Sequence, residues 1–216
     1  MATPIEIRSD KAGSRLTEIF NRHGFETCYC RTRKEAFDKA LSYIKDSDVV
    51  SWGGCQSAMD IGLIDELRKG AAEGRYQVID RDTAKTPDER MELMRKALLC
   101  DVYIGGANAL SETGERVNID GNGNRVAAMT FGPKSVIVVA SLNKVMPDLD
   151  SAMKRARSVA APVNTQRFGL STPCSSNGLC ADCSSPDRVC NYFQIIARSK
   201  PAGKIKLILV GENVGF

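Results

Sequence analysis

The chain has 216 residues, of which 43% are hydrophobic and 26% are charged, with a formal net charge of +4. This composition predicts a packed globular core and argues against disorder. Basic and acidic residues are interspersed, without the dense basic patch that nucleic-acid binding needs.

The pattern of apolar residues also bears on location. No apolar run approaches the roughly 20 residues that a membrane-spanning helix needs, and the first residues lack the apolar core of a secretory signal. We therefore expect a cytoplasmic protein without a membrane span. Its eight cysteines are then expected to be thiols or metal ligands rather than disulfides.

The first half of the chain alternates predicted helices and strands. Ser9 can cap a helix that ends near His23, and Thr32 can cap the next helix. A third helix is predicted over Gln56–Lys69. Short apolar segments between these helices predict three strands, at Phe25–Cys30, Asp48–Trp52 and Tyr76–Ile79.

The second half continues the alternation. Thr86 and Pro87 begin a helix predicted to end near Leu99, and another is predicted over Asp148–Ser158. Strands are predicted at Asp101–Gly105, Val117–Ile119, Ser135–Ala140 and Lys204–Val210. Strands that alternate with helices in this way predict an α/β fold, an open Rossmann-like and mostly parallel sheet covered on both faces.

One segment, from Pro162 to about Asn191, is too long and too polar for an ordinary connection. It carries four cysteines within 17 consecutive positions, in the pattern C-x5-C-x2-C-x6-C: Cys174, Cys180, Cys183 and Cys190. Thiolates so close in sequence can converge on one centre, and a four-sulfur environment selects zinc or an iron–sulfur cluster. The sequence therefore predicts a metal site in this loop.

The identity of the metal is left open by the pattern. Structural zinc ribbons pair two Cys-x-x-Cys turns, whereas this loop has one such turn with longer, unequal arms. That asymmetry favours an iron–sulfur cluster of the 4Fe-4S type, with zinc as the alternative and free thiols as the third interpretation. Arg167 and Arg188 would help to balance the negative charge of such a cluster, or are solvated charges of the loop.

A glycine turn, Gly53-Gly54, follows the predicted strand that ends at Trp52 and precedes a helix. Such a turn can present backbone N–H groups and a helix N-terminus to an anion, although it is equally typical of a tight connection. It has neither the lysine of a P-loop nor dinucleotide-binding spacing. Cys55, in the same turn, is predicted to be a packing residue rather than a reactive thiol.

A second glycine-rich region carries a family resemblance. Its matching features are the Gly-x-x-x-x-x-Glu-Thr-Gly segment of Gly106–Gly114, the Gly-Asn-Arg of 123–125, and Lys-Val-Met-Pro at Lys144–Pro147. Here the chain resembles the lactate-utilisation (LUD) family over most of residues 10–160. The cysteine loop resembles an extension that some members carry.

The resemblance implies a fold similar to the sugar-phosphate isomerase and coenzyme A transferase superfamily. It also implies a role in oxidising lactate to pyruvate, alongside iron–sulfur partner proteins. We accordingly expect an LUD-like α/β domain over residues 1–160, a metal-binding loop over 161–192, and a returning helix or strand over 193–216. The ligand would be a small anionic metabolite, and a homo-oligomer is compatible with the sequence.

Candidate chemistry centres on Glu112, because Ser111–Gly114 resembles the Ser-Glu-Asn-Gly motif of coenzyme A transferases, whose glutamate is the nucleophile. We predict that Glu112 faces the turn at Gly53–Ser57 and acts as nucleophile or general base, unless it is a surface residue of a turn. The predicted ligand contacts are Gly53, Gly54, Gln56, Ser57, Asn108, Thr113, Gly114, Asn124 and Arg125.

Three functional hypotheses follow. The first is a redox-linked protein that binds a small anionic metabolite beside an iron–sulfur cluster. The second is an acyl or coenzyme A transferase that uses Glu112, with a purely structural metal. The third is a non-catalytic subunit whose cysteine loop docks a partner dehydrogenase.

Overall fold

A computed structural model of the chain describes residues 2–216. The helices are α1 Pro4–Arg22, α2 Arg33–Leu41, α3 Gln56–Asp60, α4 Leu63–Ala72, α5 Pro87–Lys96, α6 Asn124–Thr130, α7 Leu149–Arg155, α8 Ala161–Thr165 and α9 Pro173–Asn177. The strands are β1 Glu26–Cys30, β2 Val49–Trp52, β3 Gln77–Ile79, β4 Val102–Gly106, β5 Ala109–Ser111, β6 Arg116–Asp120, β7 Ser135–Ser141, β8 Val145–Met146, β9 Tyr192–Ile196 and β10 Ile205–Val210.

The main sheet has six strands in the order β1-β10-β7-β4-β2-β3, and every neighbouring pair is parallel. The central strands β7 and β10 are almost wholly buried. Burial on both faces explains why these strands are continuous apolar runs rather than alternating ones. The predicted α/β fold with a mostly parallel, open sheet is confirmed.

Each face of this sheet has its own hydrophobic core. On one face, Trp52 packs with Ile64 and Leu67 of α4. On the other, Phe20 of α1 and Met129 of α6 pack with side chains that include Tyr103. Of the helices within residues 2–216, none is both long and apolar enough to cross a bilayer.

A second, smaller sheet has the order β8-β5-β6-β9. In it β6 is antiparallel to both β5 and β9, while β5 and β8 run parallel. The predicted strand at Val117–Ile119 is the centre of β6, whereas β5 and β9 were not predicted. The loop of cysteines leads into β9 of this sheet, and the Asn191 N–H at its end donates to the Asp120 carbonyl oxygen of β6.

Several predicted boundaries are corrected by the structure. Helix α1 begins at Pro4 rather than near Ser9, because Thr3 and Glu6 form a reciprocal capping box. The helix predicted over Gln56–Lys69 is two helices, since Gly62 interrupts it with a left-handed φ of 82°.

The helix predicted to end at Ser158 continues further. A π-helical turn over Ala156–Ala160 joins α7 to α8, which ends at Thr165. Pro162 lacks an N–H and cannot complete regular helical bonding, so a local change of helix type is expected near it. The irregular loop therefore begins after Thr165, not at Pro162, and it contains the short helix α9.

Candidate functional site

A cleft of about 520 Å³ lies where strands of the main sheet end. The turn after β2 and the carboxyl end of β4, at Gly106, form one side of it. Residues of the cysteine loop, from Leu170 and from Pro186–Val189, line another side. Ligands of open α/β folds bind in this position, beyond the carboxyl ends of parallel strands.

The two glycines after β2 bring backbone and cationic side chains close together. A Cβ atom at Gly53 would lie 2.5 Å from Cγ of Arg125, so only glycine allows this side chain to pack there. A Cβ atom at Gly54 would lie 3.3 Å from Nη2 of Arg81 and 3.6 Å from Nη1 of Arg167. The turn thus faces three guanidinium-bearing side chains.

Positive charge exceeds negative charge in the cleft lining. The cationic side chains are Arg81, Arg90, Arg125, Lys144, Arg167 and Arg188, and the acidic ones are Asp82, Asp120 and Asp187. The acids already have partners: Asp82 pairs with Arg90 at 2.9 Å, and Asp187 accepts from the Ser171 N–H at 2.9 Å. A concave surface with this surplus attracts small anions.

Arg81 is a largely buried cation at the glycine turn with little compensation. Its side chain is 19% exposed, its Nε has no hydrogen-bond partner, and its nearest ion-pair contact, to Asp82, is 3.9 Å long. Burial lowers the pKa of Arg81, and the charges of Arg90 and Arg125 act in the same direction. A bound anion would supply the partner that this guanidinium lacks.

Arg125 is held in place by its neighbours. Its Nη2 donates to the Ile119 carbonyl oxygen, and its Nε lies 3.6 Å from Asp120. Asp120 in turn accepts from the Val126 N–H at 3.1 Å. These contacts hold the guanidinium against the end of β6, at the wall of the cleft.

Lys144 is buried at the base of the cleft. Its Nζ donates to Ser57 Oγ at 2.9 Å, and Ser57 Oγ lies 3.3 Å from the Val214 carbonyl oxygen. Burial lowers the pKa of Lys144 to about 8. The sequence pointed to this lysine only as part of a family motif, because its burial depends on contacts with residues distant in the chain.

Cys55 begins α3 and is fully buried. Its Sγ accepts from the Ala58 N–H at 3.4 Å. Burial raises the pKa of the thiol, although the charge of Lys144 opposes that effect. A thiol with a raised pKa is a packing and capping group rather than a nucleophile, in agreement with the predicted packing role.

The four cysteines of the loop are free thiols that line one small cavity of about 20 Å³, and Cys180 is exposed. Thr172 Oγ1 lies 3.4 Å from Cys174 Sγ. Burial raises the pKa of Cys190, with Cys180 and Cys183 acting in the same direction and Arg188 opposing them. Within residues 2–216, no three Cys, His, Asp or Glu side chains are arranged to hold a metal ion. The sulfurs therefore surround a common cavity without forming a ligand set.

Arg188 connects this small cavity to the cleft, since it lines both. Its Nε donates to the Cys190 carbonyl oxygen at 3.2 Å, and its Nη2 bonds to Asp182 at 3.0 Å. Arg157 also pairs with Asp182, at 2.8 Å. Thiols are the soft donors that ligate zinc and iron–sulfur clusters, so the chemistry of these four side chains fits such a centre, whereas their arrangement in this structure is not that of a ligand set.

Comparison with known proteins identifies the family. The family model of the LUD domain matches residues 13–210. The chain belongs to the LUD domain family. It is thus a lactate-utilisation-related protein, and the match runs through the cysteine loop into β10.

Solved structures similar to this LUD domain protein include a DUF162 family protein from Deinococcus radiodurans. The two share 11% identity with a TM-score of 0.52, over 94% of this chain and 98% of the other, which shows a common fold. A ribose 5-phosphate isomerase A from Neisseria gonorrhoeae matches with 17% identity and a TM-score of 0.34, over 55% of this chain and 56% of the other. No curated protein matches the chain.

Most predicted ligand contacts of the LUD domain protein meet in the cleft. Those that line it are Gly54, Gln56, Ser57, Asn108, Asn124 and Arg125. Gly53 lies behind the lining, against Arg125. Asn108 Oδ1 accepts from the Ile119 N–H of β6 at 2.8 Å, so this oxygen already has a hydrogen-bond partner within the protein.

Glu112, Thr113 and Gly114 are not brought together with these residues. They form the turn between β5 and β6, where Glu112 and Thr113 are exposed and a Cβ atom at Gly114 would lie 2.9 Å from the His23 ring. The strand β5 leaves the cleft just after Asn108, and four extended residues span roughly 13 Å. The expectation that Glu112 faces the glycine turn is not met.

Proposed function

We propose that this LUD domain protein binds a small anionic metabolite, a 2-hydroxy or 2-oxo acid, in the cleft. We further propose that its four loop cysteines hold an iron–sulfur cluster beside that cleft. The protein would then be a redox-linked component of 2-hydroxy acid oxidation. The observation that carries the proposal is a cleft with a surplus of cations, one wall of which is the cysteine loop.

The metabolite's carboxylate would bind next to Gly54. Arg81 approaches this turn with its Nη2, while its Nε has no hydrogen-bond partner. Arg167 approaches the turn with its Nη1. A carboxylate there would satisfy a buried guanidinium that has no close acid. Arg125 would contribute a second cation, already oriented by Ile119 and Asp120.

The cluster would be held by Cys174, Cys180, Cys183 and Cys190, whose thiols line the same cavity. When bound, an iron–sulfur cluster supplies one-electron transfer, and zinc, the alternative, would supply bracing only. Arg157 and Arg188 line that cavity, and their positive charge would be shared between Asp182 and the thiolates. Arg188 also lines the cleft, so a metabolite bound there would lie next to the loop.

Calorimetric titration with lactate and with pyruvate tests the metabolite site. Wild-type protein should bind at least one of the two, and Arg81→Leu should bind it about tenfold more weakly or worse, since a charged hydrogen bond contributes about 1.5–3 kcal/mol. Arg22→Leu, a change at an exposed residue of α1, is the matched control and should bind normally. Equal affinity for Arg81→Leu and Arg22→Leu would place the anion elsewhere.

A further inference from the structure

Resting on the proposed binding of a 2-oxo acid in the cleft, we propose that Lys144 is a catalytic amine that forms an imine with the keto carbon of that acid. This assigns a covalent step to a residue for which the sequence predicted no role. Lys144 is buried, bonds to Ser57 and lines the cleft.

Lys144 is a buried lysine without an acid partner. The residue is 4% exposed and lines the cleft. Its Nζ bonds to Ser57 Oγ and, among residues 2–216, forms no ion pair with a carboxylate. Asp60, which acts on it from a distance, accepts instead from the Gly215 N–H at 2.7 Å. A structural lysine is normally paired when buried, whereas an unpaired one is typical of amine catalysis.

The hydrogen bonds around Lys144 leave its lone pair free. Ser57 has one hydroxyl proton, and it points to the Val214 carbonyl oxygen. Ser57 Oγ must therefore accept from Lys144 Nζ rather than donate to it. The same contacts argue against Ser57 as the nucleophile, because its proton is directed away from the amine.

Neighbouring charges favour the neutral amine. Burial is the largest cause that lowers the pKa of Lys144, and the positive charges of Arg155 and Arg125 act in the same direction. Cys55 and Asp60 oppose them, and the result is a pKa of about 8. A lysine with such neighbours has an appreciable fraction of nucleophilic amine near neutral pH.

The backbone beside Lys144 closes the other approach. A Cβ atom at Gly215 would lie 2.7 Å from Lys144 Nζ and 2.5 Å from Ser57 Oγ. Peptide groups therefore cover this side of the amine. Because Lys144 and Arg125 both line the cleft, a substrate carbon would reach the amine from that side.

The step balances without an oxidant or a reductant. The Lys144 nitrogen forms a bond to the keto carbon of the acid, and the carbon–oxygen double bond of the ketone breaks. The oxygen leaves as water, which carries both hydrogens of the neutral amine. The acid's carboxylate remains intact and stays with the arginines of the cleft.

Reductive trapping tests the proposal. Wild-type protein is incubated with pyruvate and sodium cyanoborohydride at about pH 8, and the adduct is located by intact mass and peptide mapping. We expect a single adduct at Lys144, formed at least about tenfold faster than at any exposed lysine, because the neutral fraction of the amine is roughly a hundredfold larger there. Lys154→Met, at an exposed position of α7, should retain the adduct, and Lys144→Met should lose it.

Separate outcomes distinguish the two proposals. If pyruvate binds by calorimetry but labels Lys144 no faster than surface lysines, the imine proposal is wrong and the metabolite site stands. If lactate binds but pyruvate neither binds nor labels, only the imine proposal fails, and if neither acid binds, both fail. Mapping of the wild-type adduct shows whether Lys144 is the labelled residue even if Lys144→Met folds poorly. Lys144→Arg, which keeps the positive charge, should bind pyruvate without being labelled.

Discussion

Replacing Lys144 with Met should change how the stability of the protein depends on pH. The pKa of Lys144 falls from an ordinary 10.5 to about 8 on folding, which corresponds to about 3 kcal/mol of destabilisation while the group is protonated in both states. Above the folded pKa, the native state loses the proton before the unfolded state does. The wild-type free energy of unfolding should therefore gain a stabilising contribution between about pH 8 and pH 10.5.

Lys144→Met has no such group, so its stability relative to wild type should be highest at neutral pH and should fall by about 3 kcal/mol by pH 10.5. The loss of the Ser57 hydrogen bond reduces the advantage at neutral pH by about 1 kcal/mol, to about 2 kcal/mol. Urea unfolding followed by circular dichroism from pH 6.5 to 10.5 measures both curves, with Lys154→Met as the control. A constant difference between Lys144→Met and wild type across this range would refute the reasoning.

Three further predictions concern other contacts. Gly215→Ala would force a Cβ atom to within 2.7 Å of Lys144 Nζ at a φ of 63°, so its unfolding free energy should fall by about 1–3 kcal/mol in urea titrations. Gln194→Leu removes the oxygen that accepts from the fully buried Arg116 at 3.0 Å, so its free energy of unfolding should fall by about 2–3 kcal/mol. Arg116→Met removes the buried charge itself and should be neutral or stabilising. Equal losses of unfolding free energy in both variants would contradict this. Binding of lactate or pyruvate should weaken in calorimetric titrations as salt is raised, and affinity independent of salt would argue against recognition by the cleft cations.

The main sheet was predictable from sequence because its strands are buried on both faces. Ser135–Ser141 and Ile205–Val210 are apolar runs, and this apolar composition alone predicts that they are buried. Strand β9 was missed because it exposes Tyr192, Phe193 and Ile195, so its pattern carries no buried face. Short edge strands of this kind form through tertiary pairing, which one segment cannot reveal.

The site was predictable only in part, for a related reason. Glycines and helix starts are local signals, and they located the turn at Gly53 and Gly54 that faces the cleft. The direction in which β5 carries Glu112 away from the cleft depends on its pairing with β6 and β8. Likewise, the burial of Lys144 depends on Ser57 and on the segment near Val214, neither of which is close to it in sequence.

The claim on which this account depends most is that the cysteine loop carries a redox-active metal centre at the edge of an anion-binding cleft. Iron and acid-labile sulfide should be measured in wild-type protein purified without oxygen, together with its visible spectrum. The account predicts about four iron and four sulfide ions per chain, lost when Cys180 and Cys183 are both replaced by Ser but kept in Cys28→Ser. Colourless protein that contains zinc or no metal would contradict it.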